Sequence, residues 1–365
     1  MKAIIDSILT KENLTRDDII TLLSIKDEDE QKKLFKYAYL IKEKYIGKKV
    51  WLRGLIEYSN FCRKNCYYCG IRNGNNNFNR YVVPDEELFE AVDFAYKNHY
   101  GSIVIQSGEK NDKKFINHID FLIKEIKKQT NNEIGITLSC GEQTIETYRK
   151  WFESGAHRYL LRIEASDKNL YNKIHPADKT HNFENRLNAL YNLKKTGYQT
   201  GTGVMIGLPF QSVENLADDL LFFKKMDIDM IGMGPYIEHK ETPLYKFKDS
   251  LSDKNQRLII TLKMIAILRI MMKDVNIAST TALQAIDNLG REKALKAGAN
   301  IIMPNITPAK YKENYLLYEN KPCISENAVE CTGCLNTRIN LIGEEIQYSQ
   351  WGDSKHFEKR KQIKT

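Results

Sequence analysis

Val50-Trp51-Leu52-Arg53-Gly54-Leu55-Ile56-Glu57 leads, four residues on, into Phe61-Cys62-Arg63-Lys64-Asn65-Cys66-Tyr67-Tyr68-Cys69-Gly70. The first stretch has the length and apolar character of a buried strand, and the second sets three thiols on the loop that follows it. The same rhythm recurs along the chain. Apolar or β-branched runs at 102–106, 134–139, 158–164, 201–206, 229–234, 276–280 and 300–303 alternate with amphipathic stretches. In 84–97, Leu88, Val92 and Ala95 share a face, and in 212–225 Leu216, Leu220 and Phe223 do so. Eight strand–helix alternations over about 260 residues match the size of a closed (β/α)8 barrel, for which ~250 residues is typical. An open doubly wound sheet is the alternative, and the Gly-x-Gly-x-x-Gly turn that such sheets usually carry after the first strand is absent.

The expected fold class is therefore α/β, a complete (β/α)8 TIM barrel over residues 49–318. A short helical N-terminal segment, 1–48, precedes it, with Thr15 and Asp18 spaced as a capping box. A C-terminal extension, 319–365, carries Cys323, Cys331 and Cys334 and shows no core of its own.

Composition narrows the function classes. The 365 residues are 42% hydrophobic and 28% charged, enough for a sizeable core and too apolar for a disordered chain. The formal net charge of +8 is modest. Part of it sits in the terminal stretch from Lys355, which reads as a solvated tail rather than a nucleic-acid contact. Asp6 falls where a signal peptide needs an apolar run, and no stretch approaches the ~18 apolar residues of a membrane span, so a cytoplasmic protein is expected. Six of seven cysteines fall into two triplets. In a reducing compartment they point to metal or redox chemistry rather than disulfides.

The first triplet has the spacing C-x3-C-x2-C. Three thiolates on one loop can hold three corners of an iron–sulfur cube and leave one iron open to a ligand. Arg63 and Lys64 can offset the charge of such a cluster. The competing reading is a structural zinc site that pairs Cys66 and Cys69 with Cys331 and Cys334; it strands Cys62 and Cys323 and leaves the strand-end position of the loop unexplained.

Other strand ends add to the site. Gln106-Ser107-Gly108-Glu109 closes the second strand with a glycine and a carboxylate able to accept from an ammonium group. In 158–164, alternation puts Arg158, Leu160, Arg162 and Glu164 on one face, toward a polar lumen near its open end, net positive and suited to an anion; an internal Arg162–Glu164 salt bridge is the structural alternative. Arg186, in the next helix, could clamp a carboxylate or be an ordinary surface residue. Thr280, Thr281, Met230 and Met303 fall at strand ends, where methionines are more often core filler. Cys140 fits no motif and reads as a small buried hydrophobe.

With these residues in place, the chain resembles the radical S-adenosylmethionine superfamily, whose signature is the same C-x3-C-x2-C with an aromatic residue, here Tyr68, before the third cysteine. The family usually has Gly-Gly-Glu where Ser107-Gly108-Glu109 stands. Within the superfamily the chain resembles the HydE-type FeFe-hydrogenase maturases, a branch shared with biotin synthase and methylornithine synthase. The likeness includes Ile56-Glu57-Tyr58-Ser59-Asn60, Phe183-Glu184-Asn185-Arg186, Gly207-Leu208-Pro209, Gly232-Met233-Gly234-Pro235 and Met303-Pro304-Asn305. The second triplet resembles that family's auxiliary cluster site.

The resemblance implies a radical enzyme with a 4Fe-4S cluster on Cys62, Cys66 and Cys69. S-adenosylmethionine would lie against Tyr68, Glu109, Ser139, Glu164 and Arg186. It implies a second cluster, 2Fe-2S or 4Fe-4S, on Cys323, Cys331 and Cys334. Gln106, Thr137, Arg158, Arg162, Met230, Thr280, Thr281, Met303, Tyr315 and Tyr318 would line a substrate cavity. The implied substrate is a small organometallic iron carbonyl cyanide complex carrying cysteine. The implied partners are a low-potential electron donor of flavodoxin or ferredoxin type, the tyrosine-cleaving radical maturase and the GTPase scaffold maturase. Membrane and nucleic acid are not among them. A methylornithine- or biotin-synthase-like enzyme and a zinc-stapled, non-redox binding protein are the alternatives.

Overall fold

Strand β1 (Lys49–Ser59) is buried along nearly its whole length because it is covered on both faces and paired on both edges. Along one edge it pairs in parallel with β2 (Ser102–Ser107), and along the other with the last barrel strand. The computed structural model describes residues 2–324 and 328–364, without the side chains of 2, 3, 328–332, 363 and 364. From β2 the sheet continues through β3 (Gly135–Ser139), β4 (Ala156–Leu160) and β5 (Gln199–Thr202).

Beyond β5 come β7 (Met230–Ile231), β9 (Asn276–Ser279) and β10 (Ile301–Ile302), and β10 returns to β1 at Trp51↔Ile301 and Leu52↔Ile302. Eight parallel strands thus close a barrel. Two expected strands are broken near their tops. Gly203 and Gly232 approach so closely that a side chain on Gly203 would enter the Gly232 carbonyl. The upper ends then form a separate pair, β6 (Met205–Ile206) with β8 (Gly234–Pro235). The fourth strand also stops early, at Leu160, and 161–164 rises to the mouth on single contacts such as Leu161 N–H to the Gly201 carbonyl.

The helices pack their apolar faces on the barrel, and most begin with a side-chain cap such as Asp112, Thr144 or Asn182. The N-terminal helices α1 (Lys2–Leu9), α2 (Arg16–Leu23) and α3 (Glu28–Tyr45) pack outside the ring. The Thr15–Asp18 capping box forms as expected. Between α3 and the C-terminal extension lies a fully buried ion pair, Lys42 to Glu344 at 2.5 Å.

The basic tail departs from its expected solvated state. A last short strand, β11 (Glu345–Ile346), adds to the lower end of β1. The chain then crosses the barrel floor, where Gly352 O accepts from Arg53 and Asn276 and Trp351 O accepts from Arg158. The final helix (Lys355–Lys364) docks through its charges on three aspartates: His356 on Asp227 and Asp274, Lys359 on Asp274, and Arg360 on Asp227 and Asp229. Acids displayed around the barrel floor, far away in sequence, hold what composition alone assigns to solvent.

Candidate active site at the barrel mouth

The cysteine loop leaves the top of β1 and is held from every side by backbone bonds. Arg63 N–H donates to Glu109 O (2.9 Å), Tyr67 N–H to Ile174 O (3.1 Å) and Gly70 N–H to Leu317 O (3.0 Å). Asn65 N–H donates to His181 Nε2 at 2.8 Å. Tyr68 meets His175 Nε2 at 3.2 Å. Gly108 lets the end of β2 reach this loop, because a Cβ there would collide with the Phe61 carbonyl and the Cys62 side chain.

Cys66 is buried, and Cys62 and Cys69 are half-buried. Burial pushes all three thiols up, Cys66 to about 12, with mutual repulsion adding to the rise at Cys66 and Cys69. Three enclosed thiols that repel one another as anions are a donor set suited to a cationic metal group, which deprotonates its ligands. Among the described residues, no three His, Cys, Asp or Glu side chains converge on a single metal ion. Cys334 is exposed on the helix Ala328–Leu341, and the Cys331 side chain, which the zinc staple also needs, lies outside the described residues. Thiols on separate corners of a multi-iron group fit the loop.

Beside the thiols lies a buried charge cluster. The Glu109 carboxylate receives Arg63 (2.8 Å), Lys64 (3.4 Å) and the Glu142 N–H (2.9 Å). Arg186 donates to Glu142 at 2.5 Å and to the Arg162 carbonyl at 2.8 Å, and stands 3.8 Å from Glu109. Burial alone would raise the Glu142 carboxyl, but Arg186 and Lys64 hold it below the usual carboxylate range. Three cations face two carboxylates here, in a site that can bind both ends of an amino acid. Gly141, at φ +75°, leaves its side-chain position to the Glu109 carboxylate. Arg186 is therefore a buried site residue rather than a surface one. Glu142, His175 and His181 went unremarked in the sequence, since Glu142 follows a turn after β3 and carries no motif of its own.

Below the mouth, Arg162 grips Glu164 through two bonds of 2.9 Å and donates to Gly232 O at 2.6 Å. The structural salt bridge thus forms, with Glu164 in a left-handed backbone conformation at φ 66°. Gln106 donates to the Tyr315 hydroxyl, and Thr281 meets Tyr318. Ser139 pairs in register with Gln106, and Thr280 donates to Met233 O. A lumen pocket follows, lined by Thr137, Leu160, Met230, Met303 and, unforeseen, Arg53.

Arg158 is the one lumen residue whose position needs correcting. It faces the lumen as alternation predicts, but from the floor rather than the open end, and Asp353 binds it at 2.7 Å while Thr137 accepts from it at 3.0 Å. The neutralising carboxylate comes from the C-terminal segment, which strand periodicity cannot reveal. Arg53 makes no ion pair among the described residues and contacts Met230 Sδ at 3.0 Å. Among the described residues the lumen thus keeps a positive charge at Arg53. Cys140 is fully buried.

In the second triplet Cys323 is half-buried with Arg291 at 3.8 Å from its sulfur, Cys334 is exposed, and the Cys331 side chain lies outside the described residues.

Residues 56–223 match the sequence profile of the Radical SAM superfamily. The [FeFe] hydrogenase maturase subunit HydE of Thermotoga maritima is 44% identical over 96% of this chain and 97% of its own. The 3-methylornithine synthase of Methanosarcina acetivorans is 30% identical over 82% of this chain and 81% of its own. The crystal structure of methylornithine synthase (PylB) superposes with a TM-score of 0.80, at 24% identity, over 95% of this chain and 98% of that one. A closed eight-stranded barrel with a cysteine loop on its first strand and this superfamily match define a radical S-adenosylmethionine enzyme. Within that class, the chain belongs to the HydE family of [FeFe] hydrogenase maturases.

Proposed function

We propose that this chain cleaves S-adenosylmethionine reductively and uses the product radical in assembling the di-iron subcluster of FeFe-hydrogenase. The observation that carries the reading is the set of three enclosed thiols beside the cluster of Glu109, Glu142, Lys64 and Arg186. Cys62, Cys66 and Cys69 would hold a 4Fe-4S cluster, which when bound would supply the one-electron reduction that cleaves S-adenosylmethionine.

The protein's own part is binding and exclusion. Cys62, Cys66 and Cys69 hold the cluster, and Arg63 and Lys64 offset its charge. Glu109 accepts the ammonium end of the cofactor and Arg186 its carboxylate, with Glu142 keeping Arg186 in place, while Tyr68, Ser139 and Glu164 complete the cradle. Gln106, Thr137, Arg162, Met230, Thr280, Thr281, Met303, Tyr315 and Tyr318 enclose the substrate, and Arg158, held by Asp353 in the floor, positions Thr137 beneath it. The unneutralised charge of the lumen suits a small anionic iron carbonyl cyanide complex carrying cysteine. Closed walls keep water and stray hydrogen donors from the radical.

Cys323, Cys331 and Cys334 would bind a second, auxiliary iron–sulfur cluster. Residues 49–318 form the catalytic unit in this reading, between the helical segment 1–48 and the extension 319–365. The working partners are the tyrosine-cleaving radical maturase, the GTPase scaffold maturase and a low-potential flavodoxin- or ferredoxin-type donor, in the reducing cytoplasm. Among the described residues no helix is long and apolar enough to cross a membrane.

The test is anaerobic reconstitution with iron and sulfide, then assay of 5′-deoxyadenosine with dithionite as reductant, and hydrogenase activation in a maturation mixture with and without the protein. Both products are expected. A colourless protein holding one zinc, with no 5′-deoxyadenosine, would overturn the reading.

A further inference from the structure

His175 is buried beside the cysteine loop, and both of its ring nitrogens are engaged. Nδ1 lies 2.8 Å from the Tyr171 carbonyl oxygen, which can only accept, so the ring proton sits on Nδ1. Nε2 is then an acceptor, and the Tyr68 hydroxyl at 3.2 Å must donate to it. Tyr171 stacks on the imidazole at 4.0 Å and Tyr68 meets it edge-on at 5.3 Å, which fixes the plane of the ring. Burial pushes the pKa of His175 down to about 3, with Arg186, His181 and Lys64 adding to the fall, so the ring stays neutral.

The three sulfurs of the loop differ in the donors that face them. Cys62 Sγ accepts from the Glu109 N–H at 3.3 Å, and the Ile71 N–H serves Cys69. Cys66 has the Tyr68 hydroxyl within reach instead, as its effect on that thiol shows. A hydroxyl carries one proton, which serves either the His175 nitrogen or the Cys66 sulfur. Here it serves His175. Hydrogen bonds to the sulfurs of an iron–sulfur cluster favour its more negative, reduced state and raise its potential. A cluster that must reduce a sulfonium gains from the opposite arrangement.

We propose that His175 is a positioning residue that draws the Tyr68 hydroxyl away from the sulfur of Cys66 and thereby keeps the potential of the bound cluster low. This role rests on the function proposed above. It acts through Tyr68 alone, since His175 touches neither a thiol nor the open corner of the cluster.

The experiment is an anaerobic redox titration of the reconstituted protein, followed by electron paramagnetic resonance and carried out before S-adenosylmethionine is added. Wild type, Tyr68→Phe, His175→Phe and the double variant are compared at matched iron and sulfide content. With its acceptor gone, the hydroxyl of His175→Phe turns to Cys66, and the reduced-to-oxidised ratio at a fixed potential should rise about tenfold, a positive shift of ~59 mV for one electron. Tyr68→Phe should leave the potential where it is in wild type, and adding it to His175→Phe should cancel the shift. A shift that survives in the double variant, or none in His175→Phe, would overturn the role of His175. Tyr68→Phe decides the point even if His175→Phe fails to load, because a negative shift there would mean that the hydroxyl already serves Cys66. A wild type with no reducible cluster would overturn the function and this role with it, whereas a reducible cluster indifferent to His175 overturns the role alone.

Discussion

Gly108 has no room for a side chain, because its Cβ position is taken by the Phe61 carbonyl and the Cys62 side chain. Gly108→Ala should therefore push the cysteine loop off the end of β2, at a cost of about 1–3 kcal/mol. It should also lower the iron and sulfide bound per chain after reconstitution; full iron loading and an unchanged melting temperature would show that the contact yields. Glu142 sits between Arg186 and Lys64 with neither exposed. Glu142→Gln should loosen Arg186 and weaken S-adenosylmethionine binding about tenfold, measured by equilibrium dialysis. Cys66→Ala should abolish S-adenosylmethionine cleavage and Cys331→Ala largely spare it. Equal loss in both would reverse the ranking of the two triplets.

The elements that surprise are those whose charges meet across the chain. The last helix is held by His356 between Asp227 and Asp274. Hydrogen bonds to Asp274 and Asp227 raise the His356 pKa above 6.5 despite partial burial, while the same contacts lower Asp227 to about 2 and depress Asp274 further. The histidine's contribution is complete below its unfolded pKa and fades as pH rises through its folded one. The aspartates' contribution is complete above about pH 4 and fades in acid. Docking should be firmest between about pH 4 and 6.5 and loosen as pH rises through the raised pKa of His356. Amide hydrogen exchange across 355–362 would read this, and His356→Asn should remove the loosening above pH 6.5 while Lys359 and Arg360 keep the helix in place.

Across the whole molecule the C-terminal chain closes what the barrel leaves open. Asp353, half-buried and far from β4 in sequence, supplies the only carboxylate on the fully buried Arg158 among the described residues. Asp353→Asn should cost about 3–5 kcal/mol by stranding that guanidinium. The denaturation midpoint should shift accordingly, and a shift no larger than that of an exposed pair such as Lys168 with Glu184 would show that the floor is wet.

Much of this molecule is local information. The eight strands, the capping box and the strand-end cysteine loop follow from periodicity and spacing, because each depends on residues a few positions apart. The alternation read through Arg158, Leu160, Arg162 and Glu164 holds only as far as Leu160, where the strand ends; Arg162 and Glu164 meet each other from irregular chain, with Glu164 left-handed. What the line of residues could not carry were meetings between distant segments: the breaks at Gly203 and Gly232, the partnering of Glu142 with Arg186, the positive charge kept at Arg53, and the capture of a basic tail by acids on the barrel floor. Electrostatic pairing and steric contact act through space, so only the closed barrel decides which charges cancel and which stay free to meet a ligand.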